Sequence, residues 1–431
     1  MNSLDAYTLI ISGSIVIVLS FLFGGIAKKT NIPSVLLLIV LGVIIQYLLP
    51  IFGVNNPKLN SELEVLGIIG LIMIVLEAAL ELKLERQKLV LILKSFFAGL
   101  IGLVVTAFAI ASIFYYLMDD ISKLQALLYA VPISILSSAI IIPSVGNLNQ
   151  EKKEFHIYES TFSDILGIMM FYFILSFLNH TSLISDVKSS HPVSEFFTGL
   201  GITLAISLVS SYVLVYVFQN VKAGAKLFLL IAILLILYSV GKKLHLSPLI
   251  IILVFGLAVS NSSLFFIGPL KKLIKQDAFK ELQHGLHIVT LESAFVVRTF
   301  FFVIFGMSIL LTDLLSFSVW YTSIIILTAI YLLRFLILKI FIGKDIIPQL
   351  YIAPRGLITV LLFYAIPKEF AIPNFEPGIL LFIIIATGII MTAGMIYDKK
   401  RAEKPIESND EEFEAFQSSP MPDIDQEANN E

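Results

Sequence analysis

The chain has 431 residues, 58% hydrophobic and 14% charged, with a mean hydropathy of +0.94. A soluble domain carries roughly 25% charge, so this composition describes a polytopic membrane protein. The formal net charge of −3 points to no particular partner, nucleic acid included, because the acidic excess sits in one tail. Cysteine is absent, which excludes a disulfide framework, a thiolate metal site and a cysteine nucleophile.

Residues Met1 to Asp5 carry no basic stretch, and no small-residue cleavage site follows. The first apolar run therefore reads as a retained helix and not as a signal peptide. Long hydrophobic runs, punctuated by charge, Pro and Gly, predict thirteen membrane spans at 7–27, 32–49, 62–82, 89–117, 124–147, 156–178, 195–219, 224–241, 246–263, 286–312, 317–341, 346–367 and 376–397. An odd number places the two ends of the chain on opposite sides. With the N-terminus outside, the inner loops and tail hold 19 Lys and Arg residues against 6 outside. That asymmetry predicts a cytoplasmic C-terminus in a cell membrane. From Asp398 to Glu431 the chain holds 11 acidic and 4 basic residues and reads as a disordered acidic tail.

Two spans do not read as continuous helices. Span five contains Pro132 and Pro143 with Ser134, Ser137 and Ser138 between them. Span twelve runs Ala353-Pro354-Arg355-Gly356. Proline removes a backbone donor and clashes with the preceding turn. Such interruptions survive at membrane depth where protein or a water-filled cavity satisfies the freed groups. One interrupted span in each half is the pattern of a secondary transporter built from inverted repeats, whose freed carbonyls and helix ends hold the ion. The expected fold is therefore all-α, with about thirteen transmembrane helices and two discontinuous helices crossing near the middle.

Ionisable side chains inside the spans are the functional candidates, since a charge at the bilayer centre costs about 2.5–3.5 kcal/mol even on lenient scales. The stretch Tyr158-Glu159-Ser160-Thr161-Phe162-Ser163-Asp164 holds two of them. On a helix Ser163 shares a face with Glu159, while Asp164 lies about 140° round. Asp164 can hold a hard cation or a proton in turn. Glu159 and Arg334 are natural partners, because a buried guanidinium needs a carboxylate. Arg355, in the break of span twelve, can compensate a half-helix C-terminus or hold a carboxylate. Glu77 lies near the inner end of span three, where it can line the cation's path or simply face solvent. Arg298 is deep enough to matter, without an assignable partner. The six histidines read as lying in or next to loops; His284 and His287, three apart, fit a metal site or a solvated helix end. No H-E-x-x-H or G-x-S-x-G motif suggests an enzyme, and no cofactor is implied.

These residues resemble the monovalent cation/proton antiporters, the sodium/proton exchangers and their prokaryotic relatives. Glu159-Ser160-Thr161-Phe162-Ser163-Asp164 is similar to their E-S-x-x-N-D signature, and Leu76-Glu77-Ala78-Ala79-Leu80-Glu81-Leu82 to their F-E-x-G-L-E-L stretch. Phe300-Phe301-Phe302-Val303-Ile304-Phe305-Gly306 resembles F-F-F-V-x-x-G, and Arg334 followed by Pro354-Arg355-Gly356-Leu357 resembles the arginine motif ahead of G-L-R-G. The resemblance implies that Asp164 is the alternating Na⁺ and proton site, with Ser160, Ser163 and Ser138 as candidate ion ligands and Glu159–Arg334 as a structural ion pair. Arg355, Glu77 and Arg298 are supporting residues. Two departures stand out: the family's Asn is Ser163 here, and the T-D-P of the first broken helix is Ala139-Ile140-Ile141, closer to the S-S-T-A-I of the potassium-efflux branch.

The expected function is exchange of Na⁺ (or Li⁺ or K⁺) for H⁺ by alternating access, electroneutral because Asp164 alone titrates. The expected assembly is a homodimer in the lipid bilayer. The mobile core would be 89–178 and 317–397, the dimer and scaffold part 7–82 and 224–312, and the linker 195–219. A potassium-efflux system or gated cation channel, and a non-transporting sensor or scaffold on a transporter fold, remain the alternatives.

Overall fold

The protein is described from a computed structural model covering residues 6–402, apart from 31–32, 53–59, 119, 183–191, 222–225, 244–247, 269–270, 272–274, 309–313, 315, 344 and 373–374. The acidic segment from residue 403 onward therefore lies outside the described residues. In chain order the helices are α1 (Ala6–Thr30), α2 (Ser34–Leu48), α3 (Asn60–Glu81), α4 (Leu89–Leu117), α5 (Lys123–Ser134), α6 (Ser138–Ser144), α7 (Gln150–Ser182), α8 (Pro192–Phe218), α9 (Lys226–Lys243), α10 (Pro248–Ser260), α11 (Ser262–Phe265), α12 (Gln276–Ser308), α13 (Phe317–Phe341), α14 (Leu357–Tyr364) and α15 (Gly378–Ala402).

Each predicted span coincides with a helix or with a broken pair, except span twelve, which is helical only in its second half. Among the described residues eight helical segments are long and apolar enough to cross a membrane, and α2 and α10 are shorter apolar helices. The outward surface is itself apolar: Tyr116, Phe317 and Ile340 are 83%, 83% and 77% exposed. Only lipid makes such a surface favourable. α7 and α12 have 33 residues each and reach about 50 Å, well past the ~30 Å hydrocarbon core. They begin before the predicted spans because their first turns project beyond the apolar layer. α15 likewise runs on to Ala402, past the predicted end of span thirteen.

Packing sorts the helices into two groups. In one, α4 lies against α5, α7 and α13, α5 against α7 and α14, α6 against α7, and α13 against α15. In the other, α12 lies against α2 and α3, α10 against α3, α8 and α9, and α1 against α2 and α12. At the α2–α12 crossing the backbones touch. A Cβ on Gly42 would sit 2.9 Å from the Gly306 Cα, so both positions need glycine.

Span five breaks between its prolines and not at them. Pro132 lies inside α5 and Pro143 inside α6, while Ile135, Leu136 and Ser137 leave the helix. α5 starts on a capping box in which Ser122 and Gln125 exchange backbone and side-chain hydrogen bonds. Span twelve differs from the expected pair of half-helices. Its first half, residues 347–351, consists of hydrogen-bonded turns, residues 352–356 form no regular structure, and only α14 is helical. Pro348 and Pro354 lie in that non-helical half, and neither can donate a backbone hydrogen bond.

Candidate functional site

The two interruptions cross each other inside the first group. The Ser137 N–H donates to the Pro354 carbonyl at 3.0 Å, and the Leu136 N–H to Ser163 Oγ at 3.0 Å. Two donors released by the break in span five are thus satisfied by protein, as buried backbone requires. Gly356 lies flat against this crossing; a Cβ there would meet Ser137 Oγ at 2.4 Å and its Cβ at 2.9 Å. Arg355 is buried beneath it. Its Nε donates to the Ile133 carbonyl at 2.6 Å, its Nη1 to the Ala353 carbonyl at 3.1 Å, and its N–H to Thr387 Oγ1 at 3.1 Å. The guanidinium therefore caps the C-terminal end of α5, one of the two roles open to it from sequence.

α7 carries both acids to this crossing and turns them to different surroundings. Glu159 receives Arg334 Nη1 on Oε1 at 3.1 Å and Nη2 on Oε2 at 3.2 Å. Arg334 is 8% exposed and also donates from Nε to the Gln349 carbonyl at 3.1 Å. It does not reach out towards the helix end. His156, fully buried one turn before Glu159, places Nδ1 3.1 Å from Oε2. The histidine is thus part of the ion-pair cluster and not a loop residue; its spacing of three from Glu159 was the available sequence signal. A void of about 30 Å³ separates this cluster from the crossing, bordered by Glu159, Ser163, Arg334 and Arg355.

Asp164 is 2% exposed, and neither carboxyl oxygen has a hydrogen-bond partner. Ser138 at the start of α6 faces it, with its hydroxyl and backbone N–H turned towards the carboxylate short of full hydrogen-bond geometry. Ser160, one turn earlier on α7, is buried and donates to the His156 carbonyl at 2.7 Å, leaving its oxygen lone pairs free. Ser163 Oγ is engaged by the Leu136 N–H, so it tethers the broken segment as well as bordering the site. A void of about 10 Å³, close to the size of one water, touches Asp164 between α3, α7, α10 and α14.

That void shares Ile74 and Ala78 with a cavity of about 190 Å³ bordered by Glu77, Glu81 and Ser138. This cavity in turn shares Ala139, Pro143, Leu291 and Arg298 with one of about 750 Å³ between α1, α2, α6 and α12. The series runs to the end of the molecule where α3 leads into Lys83 and Lys88. On the other side the void at Asp164 is walled by Ile168, Met169, Leu249 and Leu253. Arg298, unassigned from sequence, finds its partner here: Nη2 lies 3.0 and 2.9 Å from the two Glu77 oxygens, and Nη1 donates to the Ala139 carbonyl at 3.3 Å. Among the described residues no group of three or more His, Cys, Asp or Glu side chains forms a metal centre, and His284 and His287 contribute to none.

A polytopic helical protein with two crossed interruptions, and a buried carboxylate beside them with a row of adjoining cavities on one side, has the construction of a secondary transporter. The chain belongs to the sodium/hydrogen exchanger family: the model of its transmembrane part matches residues 16–396. In fold it is similar to the sodium proton antiporter MjNhaP1 from Methanocaldococcus jannaschii at pH 8, with a TM-score of 0.66 and 21% identity over 91% of this chain and 99% of that one. The three-dimensional electron-microscopy map of the same antiporter gives a TM-score of 0.62 at 21% identity, covering 93% and 97% of the two chains. A comparison with curated proteins returned no match.

Proposed function

We propose that the protein exchanges a monovalent cation, Na⁺ foremost with Li⁺ and K⁺ as the alternatives, for a proton, and that Asp164 carries both in turn. The observation that supports this most directly is the Asp164 carboxylate, fully enclosed at the crossing yet without a hydrogen bond on either oxygen. An ionised carboxylate left in that state is strongly unfavourable, so the site must hold either a proton or a cation. The two compete for the same oxygens, and competition at a site exposed alternately to each side yields exchange. Of the oxygens near the crossing, the Asp164 carboxylate borders the small void and Ser138 the larger cavity next to it, and these are the ligands a partly dehydrated cation would find there.

The conformation fits an inward-facing state, with the adjoining cavities on the basic side, expected to be cytoplasmic, and the apolar wall beyond Asp164 as the outer seal. α4 to α7 and α13 to α15 would be the moving group and α1 to α3 with α9, α10 and α12 the fixed one, joined by α8. A second copy would pair through the fixed group. Glu159 is neutralised by Arg334 and Ser163 is uncharged, so each half-cycle moves one charge at Asp164 and exchange is electroneutral.

The test is dissipation of an imposed pH gradient in proteoliposomes, with Na⁺, Li⁺ and K⁺ added in turn. At least one cation should collapse the gradient, at a rate independent of a valinomycin-set potential. A potential-dependent rate would contradict the stoichiometry, and cation flux without proton counterflux would mean a channel.

A further inference from the structure

The Arg298–Glu77 pair has a position that a merely structural ion pair would not need. It joins α12 to α3, and its free Nη1 reaches across to the Ala139 carbonyl on α6, in the other helix group. Arg298 is one of four residues that border both the 190 Å³ and the 750 Å³ cavities, so its side chain lies at the neck where the two adjoin. The pair is neither solvated nor sealed: the side chains are 17% and 15% exposed, and Arg298 Nε is buried without a partner. Among the described residues the other charged side chains bordering these cavities are Glu81 within and Glu292 outside. A cation moving from the wide cavity to Asp164 must therefore pass a fixed positive charge whose neutralisation depends on Glu77.

We infer that Arg298 and Glu77 form a charge gate on the cation path, in which Arg298 occupies Glu77 so that the neck neither traps nor repels the incoming ion. The inference rests on the antiporter reading and adds to it the control of access to the same site. Removing Arg298 exposes Glu77 and Glu81 together and makes the neck attract cations. Removing Glu77 leaves Arg298 unpaired and makes it repel them. Removing both restores near neutrality. At the distances and partial solvation of the neck, one unit charge alters local cation concentration about fivefold or more.

The chain has no cysteine, so a single reporter is available without background: Ile142→Cys, which borders the inner cavity and not the outer one. The rate of its modification by a trimethylammonium methanethiosulfonate, divided by the rate with the sulfonate reagent, reads the charge of the neck. Arg298→Gln should raise that ratio about fivefold or more, Glu77→Gln should lower it similarly, and the double variant should return near the starting value. In transport the same variants should move the KM for the cation down, up and back, with Arg298→Lys close to the parent.

If the ratio is the same in every background, or the double variant keeps the raised KM of Glu77→Gln, the gate is wrong. In the second case Glu77 acts on the ion directly. The labelling does not depend on transport. Shifted ratios in a protein that exchanges nothing support the gate and overturn the antiporter reading; unshifted ratios with Asp164-dependent exchange do the reverse.

Discussion

Glu159 and Arg334 share a buried site, 2% and 8% exposed, with His156 as a third member. Breaking such a pair from one side leaves a charge with nowhere to go, at a cost of about 3–5 kcal/mol. Glu159→Gln alone should therefore lower the unfolding midpoint in detergent far more than Glu159→Gln combined with Arg334→Gln. Equal losses would show that the two charges do not depend on each other. His156→Ala removes one hydrogen bond to a carboxylate that keeps Arg334 and should cost less, about 1–3 kcal/mol in the same measurement. The Glu159–Arg334 pair was legible in the sequence, since each side chain needed a partner of the other's sign. Arg298 was not assignable in this way, because Glu77 lies near enough to the inner end of its span to face solvent and so did not itself call for a partner. Ser163 illustrates a different limit. The sequence marks it as a polar group beside Asp164, but only the fold shows that the Leu136 N–H already uses its oxygen.

At the level of elements, the positions of the thirteen spans follow from local apolar length, so the sequence predicts them well. The details of the breaks depend on what crosses them. The prolines of span five signal an interruption, yet the chain opens at Ile135–Ser137, where Ser163 and Pro354 take the released donors. Span twelve keeps a single helical arm because Arg355 and the turns around Pro348 replace the other. The closeness of this crossing is testable at Gly356. Gly356→Ala brings a methyl group to 2.4 Å from Ser137 Oγ, and the backbones must separate. Exchange should fall at least tenfold, a barrier of about 1.4 kcal/mol. Ser137→Gly, which removes the clashing atoms, should restore most of it. Unimpaired exchange in Gly356→Ala would mean that the crossing is looser than drawn.

For the molecule as a whole, the cavity series lies towards the end where α3 leads into Lys83 and Lys88, and the sequence bias of 19 to 6 predicts that this end faces the cytoplasm. In the cysteine-free protein, Glu151→Cys should react with an impermeant maleimide only in permeabilised cells, and Glu369→Cys should react in intact ones. The reverse pattern would invert the topology and turn the open cavity outward. The division into a moving and a fixed group is consistent with this arrangement, because the cavities and Asp164 lie along the boundary between them.

The measurement that bears most directly on the account compares the parent protein with Asp164→Asn in proteoliposomes carrying an imposed pH gradient. The amide preserves shape and burial but can neither release a proton nor neutralise a cation. The account predicts that the cation which collapses the gradient with the parent has no effect with the variant, while the variant remains folded with an unchanged or raised unfolding midpoint. If Asp164→Asn exchanges like the parent, the buried carboxylate is structural and the transport site lies elsewhere.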